Sequence, residues 1–261
     1  MSAPLRLGIA GLGTVGVGVV KIIAEKAALL RQRTGREIVI TAVSARSAQK
    51  DRGIDLAPYA WEADPVALAK RPDVDIFVEL MGGHEGPAKE ATEAALNAGK
   101  DVVTANKALL AHHGQKLAEK AENGGKVLRF EAAVAGGIPV VKALTEGLAG
   151  NDITRILGVM NGSCNYILTR MQTAGLSYAD VFAEAEALGY LEADPELDVG
   201  GIDAGHKLAL LSSIAYGTAV NFEGVELEGI GQISINDIEQ AADMGFRIKL
   251  LWVSQVTERG L

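Results

Sequence analysis

The residues best suited to chemistry in this chain lie in positions 189–211, which read GYLEADPELDVGGIDAGHKLALL. Four acids, Glu192, Asp194, Glu196 and Asp198, crowd a loop around Pro195. Asp203 then begins a helix and Lys207 follows four residues later, a spacing that sets both on one helix face. Leu210, Leu211 and Ile214 fall on the same stripe as Lys207, so the lysine stands on the apolar side. A partly desolvated lysine suits proton transfer, and acids beside it suit a substrate ammonium. The plainer alternative makes Asp203 a helix N-cap and Lys207 a snorkelling side chain. A second lysine, Lys107, follows Thr104-Ala105-Asn106 just past a strand, where open α/β sheets form their binding crevice. Its position also suits an ordinary surface lysine at a helix start.

A second constellation lies near the N-terminus. Residues 8–16 read GIAGLGTVG, so Gly11, Gly13 and Gly16 form G-x-G-x-x-G directly after an apolar run and at the start of a helical pattern. The first glycine permits a tight turn, the second a close approach of backbone to pyrophosphate, and the third close packing of helix on strand. Phosphates then meet the positive end of a helix. At the end of the second strand the chain reads Val43-Ser44-Ala45-Arg46-Ser47. NAD enzymes place an acid there for the ribose 2′-hydroxyl. Its replacement by Arg46, with Ser44 or Ser47, suits a 2′-phosphate and favours NADP, with NAD still possible. Arg46 could equally be a solvated loop cation.

These residues need a scaffold. Short apolar runs at Leu5–Ala10, Ile38–Val43, Ile76–Glu79, Asp101–Thr104 and Val127–Phe130 read as strands. Helical stretches at Thr14–Leu30, Pro87–Ala98 and Ala108–Glu122 lie between them. This alternation predicts a doubly wound parallel sheet of the Rossmann type, covered on both faces. The rhythm changes near Gly147–Asp152, which predicts a dinucleotide-binding domain over 1–150 and a second domain over 151–261. The second domain reads as α+β, with a strand at 153–160, helices at 165–173, 178–188 and 204–216, and a strand at 246–253.

With 33 acidic and 25 basic residues, the formal net charge of −8 disfavours binding to nucleic acid or an anionic membrane. One cysteine, Cys164, excludes an internal disulfide. No apolar run approaches the ~20 residues of a membrane span, and the first residues lack a signal-peptide pattern. The expectation is a soluble cytoplasmic protein.

Six segments in order resemble the homoserine dehydrogenase family: GLGTVGVG (11–18), VELMGG (78–83), TANKALLA (104–111), EAAVAGGIPVV (131–141), NGSCNYIL (161–168) and the 189–211 stretch. The resemblance implies NAD(P)-dependent interconversion of homoserine and aspartate semialdehyde, a step toward threonine and methionine. It implies that Lys207 is the proton donor and acceptor, assisted by Lys107, and that Glu192 and Asp203 bind substrate with Asp198 in support. It places Gly11, Gly13, Thr14, Val15, Gly16, Gly82, Thr104, Lys107 and Gly189 on the cofactor. Glu131, Val134, Gly136 and Ile138 would hold a monovalent cation such as sodium, largely through backbone carbonyls. A homo-oligomer, a dimer, is the implied assembly.

Two departures stand out. The family commonly has Thr at Ser163 and often at Cys164. Its members also continue past the position of Leu261, with more of the substrate domain, a closing Gly-rich helix and in many cases a regulatory domain. The chain is therefore expected to be shorter than its natural product. The sequence also admits two rival readings. Ser163-Cys164-Asn165 resembles the nucleophilic turn of acylating semialdehyde dehydrogenases, with His206 as base. The chain could also be a non-catalytic NADP-binding fragment or regulatory module.

Overall fold

A computed structural model describes residues 2–191 and 195–258. The chain divides into two compact units, Met1–Lys142 and Ala143–Leu261. The change of unit falls just before the Gly147–Asp152 stretch singled out by composition.

The first unit runs β1 (Leu5–Ala10), α1 (Thr14–Glu25), α2 (Ala27–Thr34), β2 (Ile38–Ser44), β3 (Ala60–Glu62), α3 (Pro65–Lys70), β4 (Ile76–Glu79), α4 (Pro87–Asn97), β5 (Asp101–Thr104), α5 (Lys107–Asn123), β6 (Leu128–Arg129), α6 (Glu131–Val134) and α7 (Val140–Lys142). The strands form one parallel sheet in the order β3-β2-β1-β4-β5-β6. Strand alternation sorts the core onto two faces. Ile9, Val43 and Val78 pack with Leu12 and Val20 in one cluster, while Ala42, Phe77 and Val102 pack with Leu68, Leu109 and Leu117 in the other. The order of strands reverses direction between β1 and β4, and the crevice beyond their carboxyl ends is where such folds bind ligands.

Two stretches of this unit depart from expectation. The helical pattern over 14–30 is two helices, broken at Lys26. No residue of α2 is buried, so packing on the sheet does not hold it on the axis of α1. The short β3 and α3 were not foreseen, although Asp64 and Pro65 mark the helix start: the Asp64 carboxylate accepts the Val66 N–H at 2.9 Å.

The second unit opens with a π-helical turn at Ala143–Gly147, followed by β7 (Arg155–Gly158), α8 (Gly162–Ala174), α9 (Tyr178–Ala187), α10 (Pro195–Val199), α11 (Ile202–Tyr216), α12 (Ile235–Asp243) and β8 (Trp252–Gln255). β7 and β8 pair antiparallel, Gly158 facing Trp252. Helices supply the core, with Cys164, Ile167, Leu168 and Met171 of α8 against Val181 and Ala185 of α9. The strand expected over 246–253 is instead 252–255. Upstream of it, the Asn165 side chain takes the place of a neighbouring strand, accepting the Leu250 N–H at 3.0 Å and donating to the Leu250 carbonyl at 3.1 Å. No helix among the described residues is long and apolar enough to cross a membrane.

Candidate active site

In the first unit the sequence brings Gly11, Gly13, Thr14, Val15 and Gly16 together at the end of β1 and the first turn of α1. Gly11 has φ +99, and a Cβ there would stand 2.3 Å from the Leu80 carbonyl oxygen. A Cβ on Gly16 would stand 2.0 Å from the Gly11 carbonyl oxygen. These two glycines let the loop after β1 pass against the loop after β4 and let α1 close onto the turn. Gly13 is different: a Cβ there would meet nothing within 4 Å, and residues 13–15 face solvent. Gly13 is also the N-cap of α1, with no side-chain cap and no acid in the first turn. The leading N–H groups and the positive end of a twelve-residue helix are thus presented to an anion.

The crevice around this turn is built by strand register. Ala10 pairs with Ser44 on one side and Glu79 on the other, and Glu79 pairs with Thr104. Arg46 follows β2 and is exposed. Arg52, which the sequence did not single out, ties this loop to the turn: its Nε donates to the Leu12 carbonyl at 3.2 Å and its Nη2 to the Ser47 carbonyl at 2.6 Å. Gly82 and Gly83, both at positive φ, follow β4. Thr104 closes β5, and Asn106 caps α5 by accepting the Leu109 N–H at 3.0 Å, which makes Lys107 the first residue of that helix.

The stretch 131–142 is compact. The Glu131 carboxylate accepts the Val141 N–H at 2.8 Å and the Lys142 N–H at 3.0 Å. Its peptide carbonyl accepts from Ala135 and that of Ile138 from Val140. Peptide oxygens are hard donors of the kind a monovalent ion takes, while the Glu131 side chain is engaged by the backbone of this same segment. Among the described residues no group of three or more His, Cys, Asp or Glu could hold a metal ion.

In the second unit Lys207 lies on α11, its side chain about one-fifth exposed. Its ammonium donates to Asp203 Oδ2 at 2.7 Å and to the Met160 carbonyl at 3.0 Å. Asp203 is buried, and it is not the N-cap: the cap is Gly201, at φ +83, with no side-chain bond. The capping reading of Asp203 is thereby replaced by an ion pair. Asp198 on α10 is buried and accepts from Asn161 Nδ2 at 3.0 Å, while Asn161 Oδ1 caps α8 by accepting the Cys164 N–H at 2.8 Å. Asn161 thus joins the NGSCN turn to the acidic segment, a role its sequence position did not reveal. Gly189 follows α9 at φ +71. Glu192 lies outside the described residues.

Cys164 does not suit nucleophilic attack. It is fully buried and its thiol lies against the Asp198 carbonyl at 3.1 Å. Burial first, then the nearby Asp198 and Asp203 charges, push its pKa up to about 12, which leaves the thiolate scarce near neutrality. The ring of His206 packs on Phe222, centroids 4.2 Å apart. Burial of Cys164 and the raised pKa of its thiol count against the acylating-dehydrogenase reading.

Comparison with known proteins assigns both units to one family. The family model described as "Homoserine dehydrogenase, NAD binding domain" matches residues 11–131, and "Homoserine dehydrogenase" matches residues 139–258. A homoserine dehydrogenase of Neisseria gonorrhoeae is 48% identical over 99% of this chain and 59% of that protein. The crystal structure of a homoserine dehydrogenase from Thiobacillus denitrificans matches with a TM-score of 0.94 and 43% identity, covering 98% of this chain and 59% of that one. A putative homoserine dehydrogenase from Archaeoglobus fulgidus matches with a TM-score of 0.86 and 33% identity, over 98% of this chain and 82% of that one. The chain belongs to the homoserine dehydrogenase family. It spans somewhat over half the length of the curated relatives it matches, 59% of the N. gonorrhoeae protein.

Proposed function

We propose that this chain catalyses the nicotinamide-dependent interconversion of homoserine and aspartate semialdehyde. The observation that carries the reading is the Lys207 ammonium, held on a mostly buried helix by Asp203 and the Met160 carbonyl. Two of its three protons are engaged among the described residues, so its direction is set while a proton remains for a substrate oxygen. Lys207 donates that proton when aldehyde is reduced and accepts it when alcohol is oxidised. Glu192 and Asp203 receive the substrate ammonium, Asp198 supports them, and Lys107 assists at the reacting oxygen. The dinucleotide supplies the hydride.

Gly11, Gly13, Thr14, Val15 and Gly16 bind the pyrophosphate, with Gly82, Thr104, Lys107 and Gly189 along the rest of the cofactor. Arg46 favours NADP over NAD, because no acid ends β2. A monovalent cation sits on the carbonyls of Glu131, Val134, Gly136 and Ile138. The assembly is a dimer, which light scattering of the purified chain checks by mass. Turnover with homoserine and NADP tests the main reading: homoserine-dependent formation of reduced nucleotide supports it. Nucleotide binding without turnover supports a non-catalytic cofactor-binding module instead.

A further inference from the structure

We infer that Glu79 is a positioning residue, which orients the loop after β4 and the start of α5 for the cofactor. The inference rests on the cofactor reading of the first unit. Glu79 is fully buried at the point where the sheet order reverses, paired with Ala10 of β1 on one side and Thr104 of β5 on the other. A carboxylate so placed carries a large desolvation cost unless donors surround it. Here they do. Oε1 accepts the Met81 N–H at 2.7 Å and the Gly82 N–H at 3.4 Å, and Oε2 accepts the Thr104 hydroxyl at 2.6 Å.

The bonds continue as a closed circuit. The Thr104 hydroxyl oxygen accepts the Asn106 N–H at 2.9 Å, and Asn106 Nδ2 returns to the Gly83 carbonyl at 2.6 Å. Asn106 Oδ1 meanwhile fixes the first turn of α5, where Lys107 stands. Gly82 and Gly83 both lie at positive φ, and a Cβ would meet nothing within 4 Å at Gly82 and only the Glu85 carbonyl oxygen at 3.9 Å at Gly83, so close packing does not select the direction of their peptides. The carboxylate and Asn106 select it. Met81 and Leu80 in turn lie against Gly11, so the same carboxylate steadies one wall of the glycine-rich turn. A residue that only filled the sheet would need none of these acceptors.

The test titrates the full chain with NADPH and with NADH, following nucleotide fluorescence, for wild type, Glu79→Gln, Thr104→Val, the double variant and Glu79→Ala. Glu79→Gln keeps a carbonyl for Met81 and Gly82 but turns a donor toward the Thr104 hydroxyl. It is expected to weaken binding about tenfold, roughly the effect of one charge-assisted hydrogen bond. Thr104→Val cuts the same link, so the double variant is expected to bind no more than about twofold weaker than the worse single variant. Circular dichroism and thermal midpoints are recorded alongside, and the Gln and Val variants carry the test if Glu79→Ala does not fold. Folded Glu79→Gln protein that binds as tightly as wild type, whatever its midpoint, overturns the inference. Effects of Glu79→Gln and Thr104→Val that simply add also overturn it, since the circuit would not exist. Wild-type protein that binds neither nucleotide overturns the cofactor reading itself, and this inference with it.

Discussion

The two units place chemistry in different ways. In the first, the reactive edge is a product of local spacing: three glycines in six residues, a strand before them and a helix after. In the second, the lysine is local but its setting is not. Lys207 is held by Met160, forty-seven residues away, and Asp198 by Asn161, thirty-seven away. A motif can be copied as a string when its geometry is set by backbone conformation alone. A site whose partners come from distant turns depends on the packing of the whole unit. On the proposed function, the first unit would bind through shape at a helix end, and the second would act through charges that packing has aimed.

The sharpest way to break this contrast is to remove the lysine. Lys207→Ala is expected to reduce turnover at least ~10²-fold, the scale of general acid–base catalysis. Its NADPH dissociation constant should move less than about twofold, since the glycine turn is untouched. Steady-state kinetics and a nucleotide titration check both, and near-full turnover would reduce Lys207 to a structural role.

The converse change is Gly11→Ala. Positive φ and a Cβ 2.3 Å from the Leu80 carbonyl make it strained twice over. Cofactor affinity should fall by about tenfold or more, at a cost of some ~1–3 kcal/mol in stability. The same titration, with a thermal melt, decides it. An unaltered affinity would mean that the turn does not hold the nucleotide.

Much of the first unit was legible because its elements are periodic and its loops are marked by glycine. β1, β4 and β5 fall at the expected residues. What was not legible depends on burial. Glu79 reads as the last residue of a strand, and only the register that sets it between Ala10 and Thr104 gives its carboxylate a purpose. Arg52 reads as one more loop cation until its guanidinium is seen on the Leu12 and Ser47 carbonyls. In the second unit the stripe carrying Lys207 was visible in sequence, but Asp203 as its ion-pair partner competed with an N-cap that the glycine at 201 in fact provides. The run 246–253 looked like a strand because it is apolar, and the Asn165 amide replaced the pairing that would have made it one.

Smaller effects sharpen the comparison further. Cys164, buried and with its thiol pKa raised to about 12, should react with iodoacetamide at pH 8 only as fast as the second unit opens. Cys164→Thr should retain most activity. Rapid labelling of native protein, or loss of turnover in that variant, would restore the nucleophile reading. Arg46→Ala should weaken NADP binding by up to about tenfold while leaving NAD nearly unchanged, a difference read from paired titrations at one salt concentration.

The smallest expected effect lies far from either site. Arg6 donates to Asp75 at 2.7 Å, and that hydrogen bond is the main reason the Asp75 pKa falls to about 2. A depressed carboxylate pKa contributes stability above its unfolded value of ~3.9, which is lost as pH falls toward 2. Both side chains are about one-third exposed, so the contribution is modest. Arg6→Ala should make the acid limb of a pH-stability curve shallower between about 4 and 2, with little change at neutrality. An unchanged limb would mean that solvent screens the pair completely.

The most direct measurement is the rate at which this chain forms reduced nucleotide from NADP and homoserine, compared with its Lys207→Ala variant at equal nucleotide occupancy. The account predicts homoserine-dependent turnover in the wild-type chain and its near-complete loss in the variant, with both proteins binding NADPH alike. Wild-type protein that binds NADPH but forms no reduced nucleotide, or a variant that turns over as fast as wild type, would contradict it.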